Sequence, residues 1–131
     1  MLKPKLWLHA MAAILLCAGC VGPFKDMNPM ILIQGKGAPA LSEGIKNYDN
    51  GEYDKAQKSL KAALEQGLSL KSDQVKAHKY LAFTYCINNQ ERQCREEFKK
   101  ALETNPDFEL EPAEAGHPQW GPVYRSVKTR K

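Results

Sequence analysis

The chain has 131 residues, which is enough for one domain, and its formal net charge of +4 is too mild to indicate nucleic-acid binding. The sequence contains no phosphate-binding loop, no paired-glycine nucleotide motif and no zinc-ligand spacing. It therefore indicates neither a cofactor nor a metal, and an enzyme is the disfavoured class.

The N-terminus is organised like a secretory signal peptide. Lys3 and Lys5 provide a basic start, and an apolar run from Leu6 to Ala18, interrupted only by His9, follows them. A membrane-spanning helix needs about 20 apolar residues, so this run is too short to cross a bilayer comfortably. A cleaved signal is therefore favoured over an anchor that stays on the protein.

The segment Leu16–Cys20, with sequence LCAGC, resembles the lipobox of bacterial lipoproteins, in which small residues precede an invariant cysteine. The Leu that usually stands three residues before the cysteine is replaced here by Cys17. The resemblance implies that residues 1–19 are removed and that Cys20 is diacylated and anchors the protein in a membrane. Because no Asp directly follows Cys20, the resemblance also implies the outer membrane, with the protein facing the periplasm.

Residues 20–37 are rich in glycine and proline and are predicted to form a flexible tether between the lipid and the domain. The apolar run Met30–Ile33 lies inside this segment. The favoured interpretation is that the run packs back onto the domain. The alternative is a short extended segment that docks on a partner or on a second copy of the chain.

Four helices are predicted in the central part of the chain, because apolar residues recur at helical spacing between glycine and proline stops. Their predicted limits are Ala38 to Asn50, Tyr53 to Gln66, Ser72 or Asp73 to Asn88, and Glu91 to Thr104. Gly51 and Gly67 end the first two helices, and Pro106 prevents the fourth from continuing. No strand pattern of any length occurs, so the sequence predicts an all-α fold.

The segment from Leu41 to Pro106 contains an internal repeat. Small or apolar residues recur 38 residues apart, in the pairs Gly44 and Ala82, Ala56 and Cys94, Leu60 and Phe98, and Ala63 and Ala101. This pattern resembles tetratricopeptide repeats, in which small residues lie where two helices cross closely and larger ones fill the gaps. The resemblance implies two antiparallel helix hairpins. The usual period of these repeats is about 34 residues, so the offset of 38 residues implies a longer connection between the hairpins.

In tetratricopeptide arrays, the first helix of each hairpin lines a concave face. By this resemblance, the concave face contains Leu41, Ile45 and Tyr48 from the first hairpin and Lys79, Phe83 and Ile87 from the second. We expect Tyr48, Lys79, Phe83 and Ile87 to bind a protein partner as an extended or helical peptide. The sequence leaves open the alternative that Met30–Ile33 or the C-terminal tail fills the same groove.

The C-terminal tail is predicted to complete the domain, which spans residues 38–131, because two repeats leave an apolar flank uncovered. Phe108–Ala115 is expected to form one or two helical turns with Pro112 near the start. An apolar stripe then predicts a short capping helix against the end of the fourth helix. The stripe consists of Trp120, Val123, Tyr124 and Val127.

Cys86 and Cys94 straddle the turn near Gln90 and lie eight residues apart. Residues equidistant from the turn of an antiparallel hairpin face each other, so a disulfide is predicted in an oxidising compartment. The alternative is two buried thiols that act as small apolar side chains. His117, near Glu114, is expected to be a loop histidine with local hydrogen bonds, because no nucleophile or metal cluster accompanies it.

These features predict a small outer-membrane lipoprotein whose tetratricopeptide-like domain acts as an adaptor or assembly factor for an envelope complex such as a secretion system or a pilus. Its plan resembles that of pilotin-like and accessory lipoproteins, although those relatives carry more repeats. The alternative is a structural envelope lipoprotein that associates with itself into homo-oligomers through its apolar flank. The expected partners are an envelope protein and the membrane, and not a nucleic acid.

Overall fold

A computed structural model describes residues 29–129 of the chain, and these residues form seven helices and no strand. The all-α fold predicted from the sequence is confirmed. The helices are α1 (Pro29–Gln34), α2 (Ala38–Asp49), α3 (Tyr53–Gln66), α4 (Lys71–Ile87), α5 (Glu91–Thr104), α6 (Pro112–Ala115) and α7 (Gly121–Lys128). None of these described helices is long and apolar enough to cross a membrane. The predicted signal peptide and the predicted lipidation site at Cys20 lie outside the described residues.

The four central helices, α2 to α5, have the limits that the apolar spacing predicts, to within about two residues. In α3, the side chains of Ala56, Leu60 and Ala63 are fully buried. Their spacing of four and three residues puts them on one side of the helix. Burial of this stripe stabilises α3, because a helix of 14 residues is only marginally stable alone in water.

The 38-residue repeat of the sequence is also present in the backbone. α3 and α5 each contain 14 residues, and both limits of α5 lie 38 positions after those of α3. The amide of Glu52 donates to the carbonyl of Asn47 at 2.8 Å, and the amide of Gln90 donates to the carbonyl of Tyr85 at 2.8 Å. The same hydrogen bond therefore closes the turn from α2 to α3 and the turn from α4 to α5.

The two turns also share one residue in the left-handed region. Gly51 has a φ of 75° in the first turn, and Asn89 has a φ of 57° in the second. Glycine adopts this conformation without steric cost, and asparagine adopts it more readily than most residues. The second turn thus forms without a glycine because Asn89 takes the equivalent position.

α2 packs on α3, α4 packs on α5, and α3 and α4 hold the two pairs together. α2 and α3 approach each other closely at Gly44, where a Cβ atom would lie 2.6 Å from the Leu60 side chain. The core continues into the second pair through Leu81 and Phe98, which are both buried. Burial of each such side chain contributes about 1.5–3 kcal/mol.

α1 lies in the segment that the sequence predicted to be a flexible tether. Its residues Leu32 and Ile33 are 73% and 62% exposed. The prediction that the run Met30–Ile33 packs back onto the domain is therefore wrong for these two residues. The alternative of an extended segment is also wrong, because the run belongs to a helix of six residues.

A short strap, Gly35–Gly37, fixes the end of α1 to the connection between α3 and α4. The amide of Gly37 donates to the carbonyl of Gly67 at 2.9 Å, and the amide of Ser69 donates to the carbonyl of Gln34 at 2.9 Å. A Cβ atom at Gly37 would lie 2.0 Å from the carbonyl oxygen of Ala63. The glycines that suggested a tether instead allow the strap to lie directly on the domain.

The C-terminal part of the chain folds back so that α7 packs on α5. The rings of Tyr124 in α7 and Phe98 in α5 have centroids 5.4 Å apart. The hydroxyl of Tyr124 also donates to the carbonyl of Phe108 at 2.6 Å, which fixes the loop that leaves α5. The tail is therefore part of the folded domain, as its apolar stripe predicts.

Candidate functional site

The sequence-predicted partner residues lie on α2 and α4, which contact each other. Tyr48 is in the last turn of α2, and α4 carries Lys79, Phe83 and Ile87. The rings of Tyr48 and Phe83 have centroids 6.0 Å apart, and the Lys79 ammonium lies 5.7 Å from the centroid of the Phe83 ring. The structure thus brings three of these residues together, while Ile87 lies half-buried in the last turn of α4.

Phe83 is a core residue and not a surface residue. Its side chain is 1% exposed, and the Trp120 ring stacks on it with a centroid distance of 4.3 Å. The prediction that Phe83 contacts a partner is therefore corrected: the C-terminal tail covers this side chain. The C-terminal tail thus lies on one of the side chains that the sequence assigned to the concave face.

Trp120 is held in place by the loop that precedes it. Its indole N–H donates to the carbonyl of Glu114 at 2.8 Å. The His117 ring stacks on the indole, with centroids 3.3 Å apart, and His117 Nδ1 accepts a hydrogen bond from the amide of Gln119 at 3.3 Å. His117 therefore has the local hydrogen bonding that its position between Gly116 and Pro118 predicts.

Lys79 is bound within the chain. Its ammonium lies 2.6 Å from a carboxylate oxygen of Glu114, and both side chains are largely buried. The same ammonium lies 5.0 Å from the centroid of the Tyr80 ring, within cation–π range. Lys79 thus connects α4 to α6, and its charge is neutralised by Glu114.

Three tyrosines form the remaining accessible part of this region, and we call them the tyrosine face: Tyr48, Tyr53 and Tyr80. The ring centroid of Tyr48 is 5.8 Å from that of Tyr53 and 5.0 Å from that of Tyr80. All three side chains are half-buried. Tyr48 and Tyr80 meet edge to face with an interplanar angle of 73°, and Tyr48 and Tyr53 are tilted by 57°.

The environment favours the protonated hydroxyls of Tyr48 and Tyr80. Burial, which is the largest cause, acts together with the neighbouring Tyr53, Tyr80, Glu114 and Asp49 to raise the pKa of Tyr48 to about 12. Burial also raises the pKa of Tyr80, with additional effects of Asp49 and Glu114. Tyr48 and Tyr80 therefore present neutral O–H groups that can donate to an incoming carbonyl or carboxylate oxygen.

Sequence reasoning selected Tyr48 but missed Tyr53 and Tyr80. Tyr80 lies seven residues before Ile87, which is two turns of α4. This spacing was the available signal for Tyr80, because it puts both residues on one side of the helix. No comparable signal existed for Tyr53, since its position depends on how the first turn folds.

Cys86 and Cys94 join the end of α4 to the start of α5. Their sulfur atoms are 2.02 Å apart and their Cα atoms are 5.2 Å apart, so the structure forms the predicted disulfide. Both residues are buried. The bond therefore lies inside the second helix pair, and we assign it a structural role.

An ionisable cluster that the sequence did not indicate also joins α4 to α5, with His78 and Glu97 largely buried and Lys100 exposed. The Nδ1 atom of His78 lies 2.7 Å from Oε2 of Glu97, and the ammonium of Lys100 donates to Oε1 of Glu97 at 2.8 Å. Burial raises the pKa of Glu97, but the hydrogen bonds of His78 and Lys100 outweigh this effect and leave the pKa below its ordinary value. Glu97 therefore stays ionised and links the two helices.

No family model, curated protein or solved structure matches the chain. The described part of the chain also contains no group of three or more His, Cys, Asp or Glu residues placed to hold a metal ion. The functional interpretation therefore depends on the geometry of residues 29–129 and, for the N-terminus, on the sequence pattern.

Proposed function

We propose that this chain is a lipid-anchored interaction adaptor or assembly factor of the bacterial envelope, built on two tetratricopeptide-like helix hairpins. Its proposed location is the outer membrane, where acylated Cys20 would hold the domain facing the periplasm. The observation that carries the proposal is the tyrosine face, with its adjoining half-buried rings and accessible hydroxyls. We assign partner binding to this face and to Ile87.

Tyrosine is well suited to this role. Its ring contributes a large apolar area, its hydroxyl remains able to donate a hydrogen bond, and tyrosine is enriched among the residues that dominate binding energy. The mutual contacts of Tyr48, Tyr53 and Tyr80 already order the rings, so little side-chain entropy is lost when a partner binds.

The proposed partner is a polypeptide segment that lies along the face. Its carbonyl groups would accept hydrogen bonds from the tyrosine hydroxyls, and its apolar side chains would cover the rings. An open depression lined by residues 51–55 and Asn88 adjoins the face at Tyr53 and offers space for the segment to continue. The pairing of Lys79 with Glu114 leaves little positive charge here, which argues against a nucleic acid.

Two observations support the tetratricopeptide-like arrangement. The hydrogen bond that closes each helix pair recurs at the same offset as the small residues of the sequence. A small residue, Gly44, also lies where α2 and α3 approach each other closely. In this arrangement α2 and α4 are the inner helices, which is where Tyr48 and Tyr80 lie.

The test is co-purification of the tagged, full-length lipoprotein from detergent-solubilised envelopes. We expect a stoichiometric envelope protein to be recovered with the wild type. The double variant Tyr48→Ala/Tyr80→Ala should weaken capture by at least about 30-fold, the loss that corresponds to one strong interface residue. Far-UV circular dichroism would verify that the helices are retained.

The control is Lys58→Ala, which changes an exposed side chain of α3 outside the tyrosine face and should leave capture unchanged. Tyr48→Phe/Tyr80→Phe retains the rings and isolates the contribution of the hydroxyls. Unchanged capture by the double alanine variant would place the binding site elsewhere. Recovery of the chain alone would refute the adaptor proposal and favour a self-associating structural lipoprotein.

A further inference from the structure

The large exposed apolar side chains of the described residues are concentrated in one corner of the domain. They are Leu32, Ile33 and Leu70, which are 73%, 62% and 38% exposed. Leu70 directly follows Ser69, whose amide donates to the carbonyl of Gln34 at the end of α1. The three apolar side chains therefore come from two segments that a hydrogen bond holds together, and we call them the apolar corner.

Backbone geometry fixes α1 at this corner while its apolar side chains remain exposed. Gly35 has a φ of 94°, and a Cβ atom at this position would lie 2.5 Å from the carbonyl oxygen of Gly67. Only glycine fits this position, both because of the left-handed φ and because of the close approach. The backbone of the strap therefore determines the position of α1, and Leu32 and Ile33 are exposed in that position.

The apolar corner has a basic border. Lys36 and Lys71 are both exposed; Lys71 directly follows Leu70, and Lys36 lies three residues after Ile33. α1 has no acidic residue in its first turn, and Asp73 in α4 is the nearest acidic residue in the sequence. Apolar side chains bordered by lysines are typical of protein surfaces that lie in the headgroup region of a bilayer, where the ammonium groups meet lipid phosphates.

The position of the corner in the chain indicates what covers it. Only eight residues separate the proposed lipidation site at Cys20 from Pro29, the first residue of α1. Such a segment spans at most about 30 Å. A bilayer that holds the acyl chains is therefore always within reach of α1, at a high effective concentration, whereas a second copy would have to be recruited.

We propose that the apolar corner docks onto the phospholipid bilayer that holds acylated Cys20, so that Leu32, Ile33 and Leu70 enter the headgroup region and Lys36 and Lys71 contact anionic lipids. This inference rests on the lipid anchor of the proposed function. It adds that the domain lies on the membrane in one orientation, held at two points. Two attachment signals give stable membrane binding where one gives only marginal binding.

The test uses the mature acylated protein, from which residues 1–19, including Cys17, have been cleaved, in vesicles of phosphatidylethanolamine and phosphatidylglycerol. With Cys20 acylated and Cys86 bonded to Cys94, Leu32→Cys introduces a single free thiol for an environment-sensitive fluorophore. We expect blue-shifted emission and loss of fluorescence when spin-labelled lipids with shallow quenching groups are included. The matched control is Asn50→Cys, an exposed position that directly follows α2 and lies about 18 Å from the start of that helix, which should show neither effect.

Solvent-like, unquenched emission from the Leu32→Cys label in acylated protein would overturn the proposal. Disulfide-linked dimers of the unlabelled Leu32→Cys variant, together with a labelled sample that shows no lipid quenching, would overturn it in favour of a second copy. Mass spectrometry of the same sample reports acylation of Cys20 independently: an unmodified Cys20 would refute the anchor and the docking together. Partner capture by the tyrosine face is a separate measurement, so its failure leaves the docking result standing.

Discussion

Removal of the Trp120 side chain should destabilise the domain more than any exposed substitution. Trp120 is buried, stacks on Phe83 at 4.3 Å and donates its indole N–H to Glu114 at 2.8 Å. Replacement of a buried tryptophan by alanine costs about 3–5 kcal/mol. This is a large part of the total of about 5–15 kcal/mol that stabilises a typical domain.

Two variants divide this cost between the ring and the hydrogen bond. Trp120→Phe keeps an aromatic ring on Phe83 and removes the bond to Glu114, so we expect a cost of about 1–2 kcal/mol. Trp120→Ala removes both interactions and should cost about 3–5 kcal/mol. Gln119→Ala changes an exposed neighbour and should cost less than about 0.5 kcal/mol.

The assay is urea unfolding of the detergent-solubilised mature protein, followed by far-UV circular dichroism, with the free energy of unfolding obtained by linear extrapolation. Trp120→Ala should also increase binding of a hydrophobic dye, because Phe83 becomes accessible. A cost below about 1 kcal/mol for Trp120→Ala, or equal costs for the alanine and phenylalanine variants, would refute the packing of the tail on Phe83.

Three further predictions concern features away from the tail. Loss of the disulfide in Cys86→Ala/Cys94→Ala opens a loop with a sequence separation of eight and should cost about 2–3 kcal/mol in urea unfolding; wild-type stability that is insensitive to reduction would contradict this. Glu97→Gln should be less stable than the wild type at neutral pH. The pKa of Glu97 is lowered in the folded state, so its contribution is present above the unfolded-state pKa of about 4.3 and is lost as the pH falls through the folded-state pKa. The difference between the two proteins should therefore shrink in acid, and a constant difference across this range would exclude the carboxylate as the cause. Gly37→Ala should lower the melting temperature because its Cβ atom would clash with backbone, whereas Gly116→Ala, where the nearest atom would be 3.8 Å away, should leave it unchanged or raise it.

The central helices could be predicted from the sequence because local signals agree there. Ala56, Leu60 and Ala63 define a buried stripe, and Gly51 and Gly67 end the adjoining helices. The disulfide followed from the same reasoning, since the turn determines which residues face each other. These features depend on residues that are near one another in the chain, where spacing alone carries the information.

The site could be predicted only in part, because it depends on contacts between distant segments. Tyr48 was selected from its place on the first helix of the repeat. Phe83 was selected by the same rule, but Trp120, 37 residues further on, covers it. Helical spacing identifies an apolar face of a helix, but it does not show which distant segment packs on that face. For the same reason, the ion pair between Lys79 and Glu114 could not be predicted from the sequence.

The strap also shows that the structural role of a glycine cannot be predicted from its neighbours in the sequence alone. Gly35 and Gly37 predicted a tether because glycine is frequent in flexible segments. In the structure their missing side chains allow close approach to the connection between α3 and α4. A sequence pattern cannot separate these two uses of glycine, since both require only the absence of a Cβ atom.

The same strap determines how the domain would respond to mechanical load. A pull on the chain that precedes α1 reaches the bonds from Ser69 to Gln34 and from Gly37 to Gly67 before it reaches α2. The force therefore acts first at the connection between the two helix pairs. The contacts between α2 and α3 bear the load only after these bonds break. Under such a load the first helix pair, and with it Tyr48, would stay in place for as long as these two hydrogen bonds hold.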